Sequence, residues 1–204
     1  MKIKTIFWDF DGVILASNPI REIGFKVALQ EYPEKEVEAL IAFHRENGGW
    51  SRYVKFAYFF EKIRKESYNK KDIQHLASAY SNAVKSLLIN KDLLIEEIMS
   101  FILKNGKNYR MYIASGSDGK ELNEVCQGLG ITKFFHSIHG SPEIKSAILN
   151  RIIKEQRHDP SSCLMIGDSK NDYDAATENN IPFLGFNNPE IEKLTNVDFN
   201  LSEL

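Results

Sequence analysis

The chain has 204 residues, of which 43% are hydrophobic and 26% are charged, and its formal net charge is −2. This composition is typical of a globular protein with a sizeable core, built as one domain with a large insertion or as two small domains. The chain lacks the basic field of a nucleic-acid-binding protein, and no run approaches the ~20 apolar residues of a membrane span. We therefore expect neither a nucleic acid nor a membrane as a partner.

The N-terminal residues and the two cysteines favour a cytoplasmic protein. Residues 1–6 run directly into a predicted strand and lack the apolar stretch and cleavage site of a signal peptide. Cys126 and Cys163 lie in a predicted helix and a predicted core strand, with no metal-ligand spacing between them. We interpret both as reduced thiols of the core.

The first predicted strand, over residues 3–7, leads into two aspartates separated by one residue. Because side chains alternate along a strand, Asp9 and Asp11 point to the same side, and Gly12 then permits a sharp turn. Neighbouring carboxylates repel each other and lose solvation when buried, and a divalent cation relieves both effects. The pattern favours a metal site, although Asp-Gly is also an ordinary turn dipeptide.

The next segment, residues 16–92, has a helical pattern throughout. Pro19 follows Ser17 and Asn18, an order typical of a helix start. Another helix is predicted from Ile73 to Leu87, and no strand-like alternation interrupts the segment. Three apolar stripes have helical spacing: Ile23, Val27 and Leu29; Val37, Leu40, Ile41 and His44; and Tyr53, Phe56, Ala57, Phe60 and Ile63.

Within this segment a glycine pair, Gly48 and Gly49, separates two predicted helices and precedes two cations. A loop of this kind can reach a substrate, and Arg52 and Lys55 are candidates for binding the substrate's anionic or polar end. The alternative is that the glycines only separate the helices and that both cations are solvated.

The second apolar strand, predicted over residues 109–114 after an amphipathic helix over 93–103, ends at Ser115 and Gly116. A small hydroxyl and free backbone N–H groups at this position suit a phosphate oxygen, which accepts hydrogen bonds from both. The alternative is a cap for the helix predicted over residues 120–129. Ser115 is the better candidate for phosphate, and Ser117 or Asp118 for the cap.

The third strand is predicted over residues 134–138 and is followed by a helix over 146–155, with Lys145 at its head. The helix dipole disfavours a cation there, so Lys145 is either solvated or compensated by an anion. His136 and His139 have no partner at ligand spacing, and we interpret them as structural.

The fourth core strand, predicted over residues 163–166, leads into Asp168 and, four positions later, Asp172. Acidic residues here can be simple helix caps, and Asp174 is interpreted as exposed. A fifth strand is predicted over residues 182–186 and a sixth over 197–199. Strands that alternate with helices predict a mainly parallel sheet, in which the strand ends and their side chains meet in one crevice.

Four of these segments, in this order, resemble the motifs of the haloacid dehalogenase superfamily, in its branch that contains phosphoglycolate phosphatase-like and β-phosphoglucomutase-like proteins. Asp9 and Asp11 match D-x-D-G-[TV], and residues 167–176 match G-D-S-x-x-D-x-x-A-A. The resemblance implies an α/β fold with a Rossmann-like, mainly parallel sheet flanked by helices, formed by residues 1–15 and 93–204. It also implies an inserted helical cap domain over residues 16–92, where the resemblance is looser and Ala16 replaces an acid common among relatives.

The resemblance further implies chemical roles. Asp9 would be the nucleophile, and Asp11 the acid and base, which requires a raised pKa for part of the cycle. Lys145 matches the lysine that neutralises the nucleophile and the phosphoryl group, while Ser115 and Gly116 match the phosphate-binding motif.

The same resemblance implies Mg²⁺ as the cofactor. The metal would be held by Asp9, the backbone carbonyl of Asp11, and Asp168. Asp172 would be a further ligand or a partner that orients the site.

We therefore expect a magnesium-dependent phosphatase that hydrolyses a small phosphorylated metabolite through an aspartyl-phosphate, as a monomer or homodimer. A sugar-phosphate mutase of the same superfamily is the alternative. A non-catalytic binding protein on the same fold would not need an acid and base at Asp11. A dehalogenase would dispense with the metal and the second aspartate.

Overall fold

The fold is seen in a computed structural model, which describes residues 2–201. Its centre is a sheet of five parallel strands in the order β3-β2-β1-β4-β5, as the predicted fold class requires. Both faces of the sheet are covered, and β1 and β4 are buried along their whole length, as is usual for parallel sheets. The strands are β1 (Thr5–Trp8), β2 (Arg110–Asp118), β3 (Ser137–Ser141), β4 (Cys163–Gly167) and β5 (Phe183–Gly185).

A helical segment lies between β1 and β2, and the described residues 18–88 contain no strand. Its helices are α1 (Asn18–Ala28), α2 (Glu34–Glu46), α3 (Arg52–Tyr58), which continues as a π-helix (Phe59–Arg64), and α4 (Lys70–Leu88). We call residues 18–88 the helical segment. The division of the chain into a core and a cap domain at residues 16–92 stays a prediction.

The remaining helices pack around the sheet. They are α5 (Glu96–Asn105), α6 (Gly119–Leu129), α7 (Lys145–Glu155), α8 (Lys170–Glu178) and the short α9 (Pro189–Glu192), with single 3-10 turns at Lys91–Leu93, Thr132–Phe134 and Pro160–Ser162. Cys126 and Cys163 are buried and unpaired, as expected. Across residues 2–201, no helix has both the length and the apolar character that crossing a bilayer requires.

Two chain passages connect the helical segment to the sheet, and they lie side by side. The Ala16 N–H donates to the Leu93 carbonyl at 2.8 Å, and the Ile95 N–H donates to the Ile14 carbonyl at 3.0 Å. The chain therefore leaves the sheet and returns to it at one place.

Several predicted strands differ from the structure. The second strand, predicted over residues 109–114, continues to Asp118 with a register shift against β3, so Ser115 and Gly116 lie inside it. The third strand covers residues 137–141 instead of 134–138, because a 3-10 turn at Thr132–Phe134 delays the pairing with β2 until Ser137 lies beside Tyr112. The sixth strand, predicted over 197–199, is not formed within the described residues. Phe199 instead packs its ring against Phe101, with ring centroids 5.8 Å apart, so its apolar character reflects packing without backbone pairing.

The apolar stripe predicted for the first helix is also only partly buried. Ile23 and Val27 are exposed, whereas α1 buries Arg21, Gly24 and Phe25. The hydrophobic pattern predicts the wrong buried face of α1, because the face that is buried carries the charged side chain of Arg21.

Candidate active site

The carboxyl ends of β1, β2 and β4 meet beside a cavity of about 540 Å³. Asp9 directly follows β1 and Asp168 directly follows β4, while Ser115 lies near the end of β2. The parallel register makes these ends coincide, as ligand sites in such sheets require. Of the predicted site residues, those that line the cavity are Asp9, Asp11, Arg52, Lys55, Ser115, Gly116 and Asp168.

Lys145 lies beneath the cavity, between two carboxylates. Its Nζ donates to Asp9 Oδ1 at 2.9 Å and also contacts Asp172 Oδ1, and the lysine is only 3% exposed. Burial acts to lower the pKa of Lys145, but the charges of Asp172 and Asp9 outweigh this effect and raise it. Lys145 is therefore charged, and two carboxylates compensate for its place at the head of α7.

The carboxylates of Asp9, Asp168 and Asp172 form one cluster, with an oxygen of each within 4.8 Å of the others. Burial, followed by repulsion from Asp172, raises the pKa of Asp9, and the same two causes raise the pKa of Asp168 to about 7. In the absence of a cation, burial and mutual repulsion therefore disfavour the ionised forms of these two carboxylates. Closely spaced carboxylate oxygens are hard donors that fit Mg²⁺, whose charge would offset the repulsion.

Asp172 differs from the other two carboxylates because both of its oxygens already accept hydrogen bonds. Oδ1 accepts from Lys145, and Oδ2 accepts from the backbone N–H of Ser169 at 3.1 Å and from its hydroxyl at 2.5 Å. Asp172 is therefore better suited to orienting the cluster than to donating an oxygen to a metal.

Gly12 brings the two aspartate motifs together. Its φ is +80°, and a Cβ on this residue would lie 2.0 Å from Asp168 Oδ2. The glycine therefore provides both the left-handed turn and the space that Asp168 occupies. Asn18 also faces Asp168, donating from Nδ2 to Oδ2 at 3.3 Å.

Asp11 is surrounded by donors. Arg21 Nε donates to Oδ1 at 2.8 Å, Ser17 donates to the same oxygen at 2.5 Å, and Ser117 donates to Oδ2 at 2.6 Å. Burial acts to raise the pKa of Asp11, but the Arg21 charge and these hydrogen bonds lower it to about 2. In this arrangement Asp11 is ionised, not protonated as the acid role requires.

Ser117 and Asp118, which the sequence left as alternative caps, have different roles. Asp118 Oδ1 caps α6, accepting from the N–H groups of Lys120 at 3.1 Å and Glu121 at 3.0 Å. Ser117 instead serves Asp11 with its hydroxyl, while its N–H donates to the buried Ser115 hydroxyl at 3.1 Å.

Arg52 is buried rather than solvated. Its Nη2 donates to Glu121 Oε1 at 2.6 Å and its Nη1 to Glu121 Oε2 at 2.8 Å, the bidentate geometry typical of arginine and carboxylate. Arg21 Nη1 donates to the same Oε1 at 2.6 Å. One carboxylate therefore holds two guanidinium groups at the cavity wall.

Lys55 is also buried, and its Nζ lies 2.8 Å from His44 Nδ1. Burial lowers the pKa of Lys55 to about 7, and burial together with the Lys55 charge lowers the pKa of His44 to about 3. His44 is therefore neutral, and the Lys55 amine that lies within hydrogen-bond distance of it borders the cavity.

The loop that contains the glycine pair closes on the strand ends. The Gly49 carbonyl accepts from Asn171 Nδ2 at 3.0 Å. The same carbonyl lies against Gly116, where a Cβ would be only 1.9 Å from its oxygen. The backbone of β2 and the loop can approach this closely only because residue 116 has no side chain.

Sequence reasoning missed Arg21 and Glu121. A signal for Arg21 does exist, because it lies four residues after Ser17 and thus on the same face of α1 as the residue that contacts Asp11. Glu121 gives no such signal, since its partners lie in α1 and α3, 100 and 69 positions away.

The sequence matches a family model described as haloacid dehalogenase-like hydrolase over residues 3–179. The match includes all four motif segments and the helical segment. No relative was found among curated proteins.

Several solved structures share the fold. β-Phosphoglucomutase from Clostridium difficile is 24% identical, with a TM-score of 0.77 over 96% of this chain and 91% of its own. A predicted phosphoglycolate phosphatase from Haemophilus somnus is 18% identical, with a TM-score of 0.73 over 91% of this chain and 85% of its own. YfnB from Bacillus subtilis, a putative hydrolase bound to magnesium, is 15% identical, with a TM-score of 0.66 over 92% of this chain and 88% of its own.

Proposed function

The chain belongs to the haloacid dehalogenase-like hydrolase family, and from this premise we propose that it is a magnesium-dependent phosphatase of small phosphate monoesters. The observation that carries the proposal is the buried contact of Lys145 with Asp9, beside the carboxylates of Asp168 and Asp172. A carboxylate nucleophile can approach an anionic ester only where cations offset the repulsion, and this arrangement supplies one such cation.

The charge balance supports a divalent cation. Four carboxylates lie together at this edge of the sheet, three of them just after strands β1 and β4 and one in the first turn of α8: Asp9, Asp11, Asp168 and Asp172. Within the described part of the chain, the cations in direct contact with them are Lys145 and Arg21. Asp9, Asp168 and the backbone carbonyl of Asp11 would hold Mg²⁺, which when bound draws charge from the phosphoryl oxygens.

In the first half of the reaction, an oxygen of Asp9 attacks phosphorus in line with the ester oxygen. The bond between phosphorus and the ester oxygen breaks, and Asp11 donates a proton to the departing alcohol. Lys145 holds Asp9 in place, while Ser115 and the Gly116 N–H bind the phosphoryl oxygens. The product of this half is an aspartyl-phosphate on Asp9.

In the second half, Asp11 accepts a proton from water as the water oxygen attacks phosphorus. The bond to Asp9 breaks, inorganic phosphate leaves, and both aspartates regain their starting states. Because Arg21 keeps Asp11 ionised, the first half requires the contact between Arg21 and Asp11 to weaken when substrate binds.

We propose further that residues 16–92 form a cap that excludes water during the reaction. Two contacts support this proposal: the Gly49 carbonyl lies against Gly116, and Arg21 and Arg52 both donate hydrogen bonds to Glu121.

The buried, unpaired cysteines favour a cytoplasmic location.

A sugar-phosphate mutase is the second candidate, since a β-phosphoglucomutase is among the proteins that share the fold. In a mutase the phosphoryl group returns to a sugar, whereas in a phosphatase it passes to water. Release of inorganic phosphate from an aryl phosphate, compared with interconversion of hexose phosphates, separates the two.

The first test is removal of the metal. With EDTA, hydrolysis of p-nitrophenyl phosphate is expected to fall to background and to return when Mg²⁺ is added in excess. Thermal unfolding gives a readout that does not depend on turnover, because Mg²⁺ that binds only the folded protein raises its melting temperature. Full activity in EDTA, or a melting temperature insensitive to Mg²⁺, would contradict the proposed site.

The acid and base role of Asp11 predicts a dependence on the leaving group. In Asp11→Asn, p-nitrophenolate needs no proton, so we expect a burst of one equivalent per protein, followed by slow turnover. An alkyl phosphate needs the proton, and we expect no burst from it. Rapid-quench measurements on both substrates test the role, and equal losses on the two substrates would argue against it.

A further inference from the structure

A second cleft lies at the amino end of the parallel sheet, at the edge opposite the candidate active site. Its volume is about 710 Å³, which is in the range of small-molecule sites. Its lining comes from the start of β1 and β2, from the residues just before β3 and β4, and from the chain just after α5 and α7. The reaction proposed at Asp9 makes no use of this cleft.

The side chains that line this cleft carry more positive than negative charge. Within residues 2–201 its lining includes one carboxylate, that of Asp159, whose oxygens accept from the Ser161 N–H at 3.0 Å and from the Ser161 hydroxyl at 2.8 Å. Four lysine and arginine side chains line the cleft, and none of them forms an ion pair with a carboxylate of the described residues. They are Lys4, Lys107, Arg110 and Arg157.

The helix ends beside the cleft offset only part of this charge. Both α5 and α7 end there, and the C-terminus of a helix carries about half a negative charge. With Asp159, the two ends supply about two negative charges against four positive ones, so about two positive charges are left over. The whole chain, by contrast, has a formal net charge of −2. His158, which also lines the cleft, responds to this charge, because burial and then the charges of Arg110 and His136 lower its pKa.

The backbone of Arg157 provides a second, independent observation. α7 ends in a Schellman motif, in which the His158 N–H donates to the Ile153 carbonyl at 2.9 Å and the Arg157 N–H donates to the Lys154 carbonyl at 3.2 Å. The motif places Arg157 at a φ of +53°, in the left-handed region that favours glycine.

The same motif ends α6 and α8, where the corresponding residues are Gly130 and Asn180, both of types suited to this conformation. An arginine in this position has a cost in stability. No ion pair within residues 2–201 offsets that cost, because the Arg157 side chain has no carboxylate partner there. An anionic ligand in the cleft that Arg157 lines would offset it.

We propose that this cleft binds a short polyphosphate chain, free or as part of a nucleotide, through Arg110, Arg157, Lys4 and Lys107. Guanidinium groups bind phosphate oxygens in a bidentate manner, and ammonium groups add point charges. Two or three linked phosphates bring enough charge and enough oxygens for four cations, which one phosphate or one carboxylate does not. A long nucleic acid is less suited, because the chain as a whole is negatively charged. The inference is independent of the reaction proposed at Asp9.

Calorimetry on the full chain in EDTA tests the proposal, with tripolyphosphate and ATP as probes and inorganic phosphate as the comparison. EDTA removes Mg²⁺, which would otherwise link a probe to the carboxylates of the candidate active site, and 0.15 M salt screens loose attraction to the surface. We expect one tripolyphosphate per protein, bound about 10-fold or more tightly than inorganic phosphate. Tighter binding of ATP than of tripolyphosphate would identify a nucleotide as the source of the chain, and the reverse would identify free polyphosphate.

Arg157→Gly is the most informative variant, because it is expected to lose binding without losing stability. Glycine relieves the left-handed backbone, so the melting temperature should stay the same or rise by about 2–4 °C. The affinity for tripolyphosphate is expected to fall about 10-fold or more, and Arg110→Gln should weaken it similarly. Lys154→Gln is the matched control for the loss of one charge and should keep the affinity, since Lys154 lies in the last turn of α7 and does not line the cleft.

Three results would overturn the inference. The first is no binding of tripolyphosphate or ATP in 0.15 M salt, and the second is equal affinity in the unaltered protein, Arg157→Gly and Arg110→Gln. The third is a loss in Lys154→Gln as large as that in Arg157→Gly, because the probe would then respond only to net charge. Hydrolysis of p-nitrophenyl phosphate with Mg²⁺ reports separately on the proposed function and is expected to be unchanged in Arg157→Gly.

Discussion

Replacing Asp9 by asparagine is expected to abolish phosphoryl transfer while the fold is kept. The amide preserves the shape of the side chain and a hydrogen-bond acceptor for Lys145, but it is not a nucleophile. Loss of a nucleophile that acts through a covalent intermediate lowers kcat by about 10⁴-fold or more. Phosphate release from an aryl phosphate measures the loss, and hydrolysis above a trace level in this variant would refute the assignment.

The same variant gives a prediction for stability. Asp9 has a raised pKa because burial and nearby carboxylates disfavour its ionised form. At any pH above the ordinary carboxyl pKa, folding must therefore either bury this charge or take up a proton, and both lower the free energy of unfolding of the metal-free protein. At pH 8 in EDTA, Asp9→Asn is expected to melt at the same temperature as the unaltered protein or higher, and to gain less from Mg²⁺.

Asp174→Asn is a matched control for both measurements. Asp174 lies in α8 with its side chain 47% exposed, and it pairs with Lys170. It is expected to change neither hydrolysis nor the response to Mg²⁺. A lower melting temperature for metal-free Asp9→Asn would show that the ion pair with Lys145 contributes more than the burial of charge costs.

Replacing Gly116 by alanine is expected to reduce kcat/KM by about 100-fold, because small displacements of reacting groups have effects of this size. The added Cβ would lie 1.9 Å from the Gly49 oxygen, and both atoms belong to backbone or are fixed to it, so the loop must move away from β2. Kinetics on an alkyl phosphate measure the effect. The unfolding temperature is expected to change little, because the core of the sheet is untouched.

The control for this variant adds a methyl group to the facing loop. A Cβ on Gly48 would meet its nearest neighbour, Ser169 Cβ, at 3.4 Å, which is an ordinary contact. Gly48→Ala should therefore reduce kcat/KM far less than Gly116→Ala. Equal effects would show that the closeness of the loop to Gly116 has no special role.

The sheet and its strand ends could be predicted from the sequence because both depend on local patterns. Apolar runs of strand length predicted β1, β2 and β4, and the rule that parallel strands share a carboxyl end placed Asp9, Ser115 and Asp168 near one another. Lys145 is the first residue of α7, and the position of this helix brings its Nζ to Asp9. These are short-range patterns combined with one general rule of topology.

Arg21 could not be predicted in the same way, because a buried charge depends on partners that are distant in sequence. Hydrophobic periodicity assigns the apolar Ile23 and Val27 to the buried face of α1, yet the structure exposes them. Arg21 is buried because Asp11 and Glu121 both accept hydrogen bonds from it. Glu121 lies in α6, so this relation appears only once the chain has folded.

The paired passages between the sheet and the helical segment restrict how the two can move. Hydrogen bonds from Ala16 to Leu93 and from Ile95 to Ile14 join the outgoing and returning chains. Rotation about an axis through both passages keeps these bonds, whereas sliding or twisting the helices over the sheet would break them. We expect a rotation that keeps both bonds to be the movement that separates the Gly49 carbonyl from Gly116.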